Sequence, residues 1–194
     1  MADRMQIGTG VKFALGENPK SVYNDRDETP ITRMATAAMI REGLAKAQRY
    51  QQELDFAESD PDEHMPDYDA KSEALLPLLE RDVKAHFHCH RADDICTAIR
   101  IAKEFNLDYV IIHGTEGHLI ADILAEENAP VIAGPILCDR CKPEMQHLTI
   151  SGPSIMQKAG VKLALCTDHP VIPIQYLPTT AALAVKGGMQ REDA

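Results

Sequence analysis

The sequence predicts an α/β fold, namely a partial (β/α) barrel of the TIM type with parallel strands inside and helices outside. From residue 84 onward, short apolar segments alternate with amphipathic ones, as in repeated βα units around a parallel sheet. Residue types that bind metals stand where several of the apolar segments end. We expect residues 1–194 to form one domain, because a chain of this length buries a substantial core.

The regular part of the pattern gives four strands, predicted over residues 84–90, 107–113, 130–137 and 161–167. Helices are predicted over residues 91–105, 119–128, 153–159 and 179–186. In the first of these helices, Ile95, Ile99 and Ala102 recur at helical spacing and should pack on the sheet.

The order before residue 84 is less regular. There the sequence predicts a strand over 11–15, a long helix over 32–54, an exposed acidic loop at about 53–69 and a helix over 67–80. Pro77 marks a kink or an end of the last helix.

The formal net charge of −10 disfavours nucleic acid or an anionic membrane surface as the main partner, because both require clustered Lys and Arg. A small substrate or a metal cation suits an acidic protein better. The chain has neither a signal-peptide-like apolar run nor a spanning segment, which favours a cytoplasmic protein without a membrane partner.

Three histidines alternate along the first strand of the regular region. Side chains on a strand point to alternate faces, so His86, His88 and His90 share one face, with neighbours about 6.6 Å apart. An apolar barrel layer would carry Val, Ile or Leu there. The pattern therefore favours a functional face over a purely structural one.

The next strand ends at His113, which alternation places on the side of Tyr109 and Ile111, and the last predicted strand is followed by Asp168. Active sites of parallel barrels lie at the carboxyl ends of the strands. A single His or Asp in such a place is usually structural. Together with His88, however, the set matches the nitrogen and oxygen ligands that a catalytic zinc prefers, and we predict a metal site at the barrel mouth.

The segments HFHCHRADD, VIIHGTEG and LALCTDHP resemble the motifs on strands 5, 6 and 8 of the amidohydrolase superfamily, especially its imidazolonepropionase-like and prolidase-like branch. VKFALGENPK and TPITRM extend the resemblance over most of the chain. The resemblance implies that His88 and His113 are metal ligands and that Asp168 both binds metal and transfers the proton. It also implies hydrolysis of an amide or other C–N bond by metal-activated water, with zinc as the expected divalent metal and a small amide or peptide-like substrate.

The family also has a ligand on strand 4, and two residues match it. Glu17 stands at a strand end, whereas Lys12 lies within the strand and resembles the position of a carboxylated lysine. We favour Glu17 and leave Lys12 open. His90 and His169 are assigned to contacts around the metal site or with the substrate.

The chain departs from the family pattern because no HxH motif, the ligand pair of strand 1, precedes residue 84. Counting strands backward from Asp168 makes the segment at Lys12 strand 4. We therefore expect a fragment without strands 1–3 and the C-terminal end, with open sheet edges that favour an oligomer or a complementing barrel fragment. The alternative function is a non-catalytic metal-binding or assembly module derived from such a barrel.

Overall fold

A computed structural model describes residues 10–60 and 62–194, and its centre is a parallel β-sheet. Within these residues the sheet has five strands, β1 (Gly10–Ala14), β2 (Lys84–Cys89), β3 (Tyr109–His113), β4 (Val131–Ala133) and β5 (Leu163–Leu165). They lie side by side in chain order, and each neighbouring pair is parallel. The predicted α/β fold with parallel strands is confirmed, and the sheet is consistent with part of a barrel.

Helices flank the sheet and fill the connections between its strands. They are α1 (Glu17–Asn24), α2 (Arg33–Ser59), α3 (Ala70–Glu73), α4 (Leu76–Leu79), α5 (Ala92–Glu104), α6 (Ala121–Glu126), α7 (Gly152–Lys158) and α8 (Leu177–Lys186). Short 3-10 turns cover Gly117–Ile120, Pro143–Met145 and Ile174–Tyr176. None of the helices in the described ranges combines the length and apolar composition needed to cross a membrane.

Some predicted boundaries were wrong. The acidic loop expected at about 53–69 begins later, because α2 continues to Ser59 through residues such as Leu54 and Ala57 that favour a helix. Position 61 of that loop, like the first nine residues of the expected domain, lies outside the described residues. The helix expected over 67–80 is two short helices, and Pro77 lies in the first turn of α4, where a missing N–H is tolerated. Helix α1 was not predicted.

The main core lies between the sheet and the helices. Phe87 on β2 is fully buried, stacks on Phe13 with ring centroids 5.2 Å apart and meets Tyr109 edge-on at 6.4 Å. Helices α2, α4, α5 and α6 add buried aliphatic side chains, among them Leu44, Leu78, Ile95 and Leu124. This layer aligns the strands, so that their carboxyl ends meet at one edge of the sheet.

Candidate metal centre

Three buried histidines meet at the carboxyl ends of β2 and β3. His88, His90 and His113, here called the histidine cluster, are only 3–4% exposed. Each offers a ring nitrogen that lies within 4.8 Å of those of the other two. The structure thus brings together His88 and His113, the predicted ligands, and adds His90, which had been assigned to surrounding contacts.

The side predicted for His113 was wrong. Phe87 pairs with Ile111, and Cys89 with His113, so strict alternation would turn the His113 ring toward the helices. Instead, His113 has a φ of 75°, outside the extended range. Its ring centroid lies 4.6 Å from that of His88, and it stacks on His90 at 4.7 Å. The break in strand geometry at this residue accompanies the turn of the ring into the cluster.

Hydrogen bonds determine the proton positions in the histidine cluster. His113 Nδ1 must donate to the carbonyl of Gly134, 2.6 Å away, which leaves the Nε2 lone pair of a neutral ring facing His88 Nδ1 at 3.0 Å. His88 Nδ1 therefore donates, and its Nε2 accepts from Asn18 Nδ2 at 3.3 Å. Lys142 Nζ fixes the Asn18 amide by donating to Oδ1 at 2.6 Å. A cation on both facing nitrogens would shift that proton to His88 Nε2, and the Asn18 amide would then have to turn and accept from it.

Gly134 makes the carbonyl contact possible. Its φ of 139° lies in the region that favours glycine, and a Cβ there would overlap the carbonyl oxygen of Cys166. The end of β4 can therefore approach the segment after β5 and present its carbonyl to His113.

Burial keeps the cluster neutral. It lowers the pKa of His88 to about 3 and that of His90 to about 2, with smaller contributions from neighbouring positive charge. Burial also lowers the pKa of His113, against the opposing effects of the Gly134 carbonyl and the Asp168 carboxylate. Neutral imidazoles are the form that binds metal.

The facing nitrogens of His88 and His113, 3.0 Å apart, are near the roughly 3.3 Å expected of two tetrahedral zinc ligands. The donor set fits a divalent cation.

Asp168 and His169 lie outside the histidine cluster. Asp168 follows β5, is exposed and has a φ of 55°, and its negative charge raises the pKa of His113 against the effect of burial. His169 is exposed, and its Nδ1 accepts a hydrogen bond from the Ile174 amide at 3.3 Å. The three-histidine group contains neither residue, so their roles stay predictions.

The two candidates for the strand 4 ligand also lie outside the histidine cluster. The Glu17 carboxylate, at the first residue of α1, accepts from Arg33 at 3.3 Å and from Lys20 at 3.5 Å. Lys12 is exposed on β1, and its charge helps to lower the pKa of His88, after burial and the His113 ring. The choice between Glu17 and Lys12 stays open.

Glu144 is a buried acid that no pattern in the sequence predicts. It lies in the 3-10 turn after β4, is fully buried and accepts from the Glu17 amide through Oε2 at 2.8 Å. Its other oxygen, Oε1, lies 3.7 Å from His90 Nε2. Burial raises the pKa of Glu144. No sequence pattern marks this residue, because it stands in a polar connection and its partner is 127 positions away.

Asn18 and Lys142 were missed as well. Asn18 belongs to the GENPK segment on which part of the resemblance rests, so that segment carried a signal. Lys142 precedes the turn that carries Glu144 and carries no signal of its own. Together these two residues connect the start of α1 with the connection after β4.

Comparison with solved structures finds a similar protein. The chain is 44% identical to an amidohydrolase from Thermotoga maritima MSB8 whose crystal structure is known, with a TM-score of 0.91. The alignment covers 95% of this chain and 48% of that chain, so this chain spans about half the length of the structure it matches. No family model and no curated protein matches. Over nearly all of its residues, the chain is therefore similar in fold and sequence to about half of an amidohydrolase.

Proposed function

We propose that this chain supplies the metal-binding half of a metal-dependent hydrolase of the amidohydrolase superfamily, which cleaves an amide or another C–N bond. The observation that carries the proposal is the histidine cluster, three buried imidazoles at the carboxyl ends of adjacent parallel strands. The similarity to the amidohydrolase from Thermotoga maritima supports the reaction class.

His88 and His113 would hold the cation, because their facing nitrogens are already at a suitable separation. Nitrogen ligands of this kind favour zinc over harder cations. When bound, such a cation lowers the pKa of a water toward about 7 and polarises a carbonyl. Glu17, or Lys12 as the alternative, is the candidate for a further metal ligand contributed by the segment at β1.

Asp168 would accept the proton and pass it to the leaving nitrogen. A carboxylate suits this role when it is reachable by solvent and substrate and close to the ligands. Asp168 is exposed, and its charge acts on the His113 ring. His169, the next residue, would contact the substrate, a small amide or peptide-like molecule.

The catalytic unit would be larger than this chain. Strands β1 and β5 each pair with one neighbour among the described residues, and the chain matches about half of a longer amidohydrolase chain. A complete barrel of this type has eight strands. We therefore assign turnover to an assembly in which a complementing barrel segment or another copy covers the open edges.

Metal binding by the isolated chain tests the proposal. We expect the chelator-stripped protein to bind zinc stoichiometrically in calorimetry and in elemental analysis after dialysis. His88→Ala and His113→Ala should each reduce the bound zinc, because each removes one of the facing nitrogens. The control is His64→Ala, which changes an exposed histidine and should bind as the wild type does. Absence of zinc in the wild type, or unchanged stoichiometry in both cluster variants, would contradict the proposal.

Turnover separates the hydrolase from the alternative, a non-catalytic metal-binding or assembly module. The zinc-loaded chain, with and without a second fragment supplying further barrel strands, would be assayed on a panel of N-acyl amino acids and small amides. Hydrolysis that Asp168→Asn abolishes, with folding retained in circular dichroism, supports the hydrolase and the role of Asp168. Zinc binding without hydrolysis in either preparation supports the module, and hydrolysis by Asp168→Asn removes Asp168 from the mechanism.

A further inference from the structure

Glu144 has a carboxylate oxygen that the fold leaves unused. The residue is 0% exposed, and Oε1 has no hydrogen-bond partner among the described residues. Proteins rarely bury a carboxylate without pairing it, because the charge loses its hydration. Glu116, a second buried acid near the cluster, shows the usual arrangement: its oxygens accept from the Ala92 amide at 2.8 Å and pair with His147 Nδ1 at 2.7 Å.

The surroundings of Oε1 point toward the histidine cluster. Oε1 lies 3.7 Å from His90 Nε2 and 3.8 Å from Lys142 Nζ, both beyond a normal hydrogen bond. The other ring nitrogen of His90 is already engaged by Thr115 Oγ1 at 2.8 Å. Two atoms that share a zinc ion at about 2.0–2.1 Å lie 3.7 Å apart when the angle between them is about 130°. The gap leaves room for a cation between Oε1 and His90 Nε2, with Glu144 just outside the group formed by the three histidines.

The start of α1 holds the other carboxylate oxygen of Glu144 in place. Oε2 accepts from the Glu17 amide at the N-terminus of α1, and a Cβ at Gly16 would overlap that oxygen. Gly16 also has a φ of 84°, which favours glycine. With Oε2 anchored, Oε1 is the oxygen that faces His90.

We propose that Glu144 is a carboxylate ligand of the metal centre and binds the cation through Oε1 at the His90 end. This inference rests on the proposed metal site. It gives His90 a ligand role through Nε2 and assigns a metal contact to the connection after β4. Because the histidine cluster is neutral, Glu144 supplies negative charge where the imidazoles supply none, which strengthens binding of a dication.

The test is metal binding by Glu144→Gln in the full chain. Glutamine keeps the volume and an oxygen that can accept from the Glu17 amide, but it removes the charge. Co²⁺ serves as the spectroscopic probe, and zinc affinity is measured by competition with a chelating dye. We expect at least a tenfold loss of affinity and shifted visible Co²⁺ bands. The melting temperature without metal should change little, since the substitution removes both a buried charge and its ion pair with Lys142.

Glu116→Gln is the matched control and should keep the wild-type affinity and Co²⁺ spectrum. If Glu144→Gln does not fold, Glu144→Asp is measured in the same way; its shorter side chain cannot reach both the Glu17 amide and the cation, so affinity should again fall. Wild-type affinity and spectrum in the Glu144 variant would overturn the inference. Loss of metal in His88→Ala, measured alongside, would still support the proposed metal site. A wild-type chain that binds neither Co²⁺ nor zinc would overturn both.

Discussion

The two faces of β2 are both buried at the carboxyl end of the strand, but they depend on different physics. On one face, Phe87 and Cys89 are 0% exposed and lie in the apolar layer under the helices, where burial itself is favourable. On the other face, His88 and His90 are 4% and 3% exposed, and burial depresses their pKa values. The first face stabilises the fold without help, whereas the second depends on its hydrogen bonds and, in the proposed function, on a cation.

The two faces also draw on different parts of the chain. The apolar face packs against the helices of the βα units. The histidine face depends on single contacts from other segments, such as that of Asn18 with His88 and that of Thr115 with His90. A change in the apolar face should therefore alter stability alone, whereas a change in the histidine face should also alter metal binding.

The largest effect on stability is expected from Phe87→Ala. The change removes a fully buried ring that stacks on Phe13 at 5.2 Å, and such truncations cost about 3–5 kcal/mol. Urea unfolding of the metal-free protein should show this loss, while zinc bound per folded molecule stays as in the wild type. Phe56→Ala, at a position 56% exposed, is the control and should change stability by less than about 0.5 kcal/mol. Loss of zinc without loss of stability in Phe87→Ala would mean that the two faces are not separate.

Lowering the pH should reduce the free energy of unfolding through the histidine face and not through the apolar face. The pKa of His88 falls from 6.5 to about 3 on burial. Between these pH values the ring is therefore protonated in the unfolded chain and neutral in the folded chain. The free energy of unfolding therefore falls as the pH falls. For one such ring the loss between about pH 8 and about pH 5.5 is about 1.4 kcal/mol. His90, with a pKa of about 2, should add a similar amount.

The measurement is guanidinium unfolding of the metal-free protein at both pH values, compared with His88→Gln. Burial raises the pKa values of Asp94 and Glu144, which opposes the histidines as the pH falls, so only the difference between the two proteins isolates His88. The variant should lose about 1.4 kcal/mol less than the wild type. The exposed His64 changed to Gln should follow the wild-type curve. Identical pH dependence in His88→Gln and the wild type would show that His88 is not buried in its neutral form.

The same contrast explains what the sequence could reveal. Phe87, His88 and the parallel strands follow from alternation and repeated βα units, which are local patterns. The side of His113 could not be predicted, because its positive φ interrupts the alternation. Glu144 and Lys142 could not be predicted either, since they stand in an irregular connection and meet α1 residues that are more than 120 positions away. Patterns in the sequence thus locate the strand ends, whereas contacts between distant segments determine which loop residues lie beside those ends.

The smallest effect is expected from a change that touches the histidine face alone, at Thr115. Thr115→Val keeps the shape of the side chain but removes the hydroxyl that binds His90 Nδ1 at 2.8 Å. The loss of one hydrogen bond should cost about 1 kcal/mol in urea unfolding, and the freed ring should weaken zinc binding by about tenfold, as loss of a group that orients a ligand does. Thr97→Val is the matched control, because its hydroxyl bonds only within α5, donating to the Asp93 carbonyl at 2.8 Å and accepting from Arg100 at 2.8 Å. Equal zinc affinity in the two valine variants would show that the orientation of His90 does not matter to the site, and His90 would then belong with the residues that merely fill the inner face.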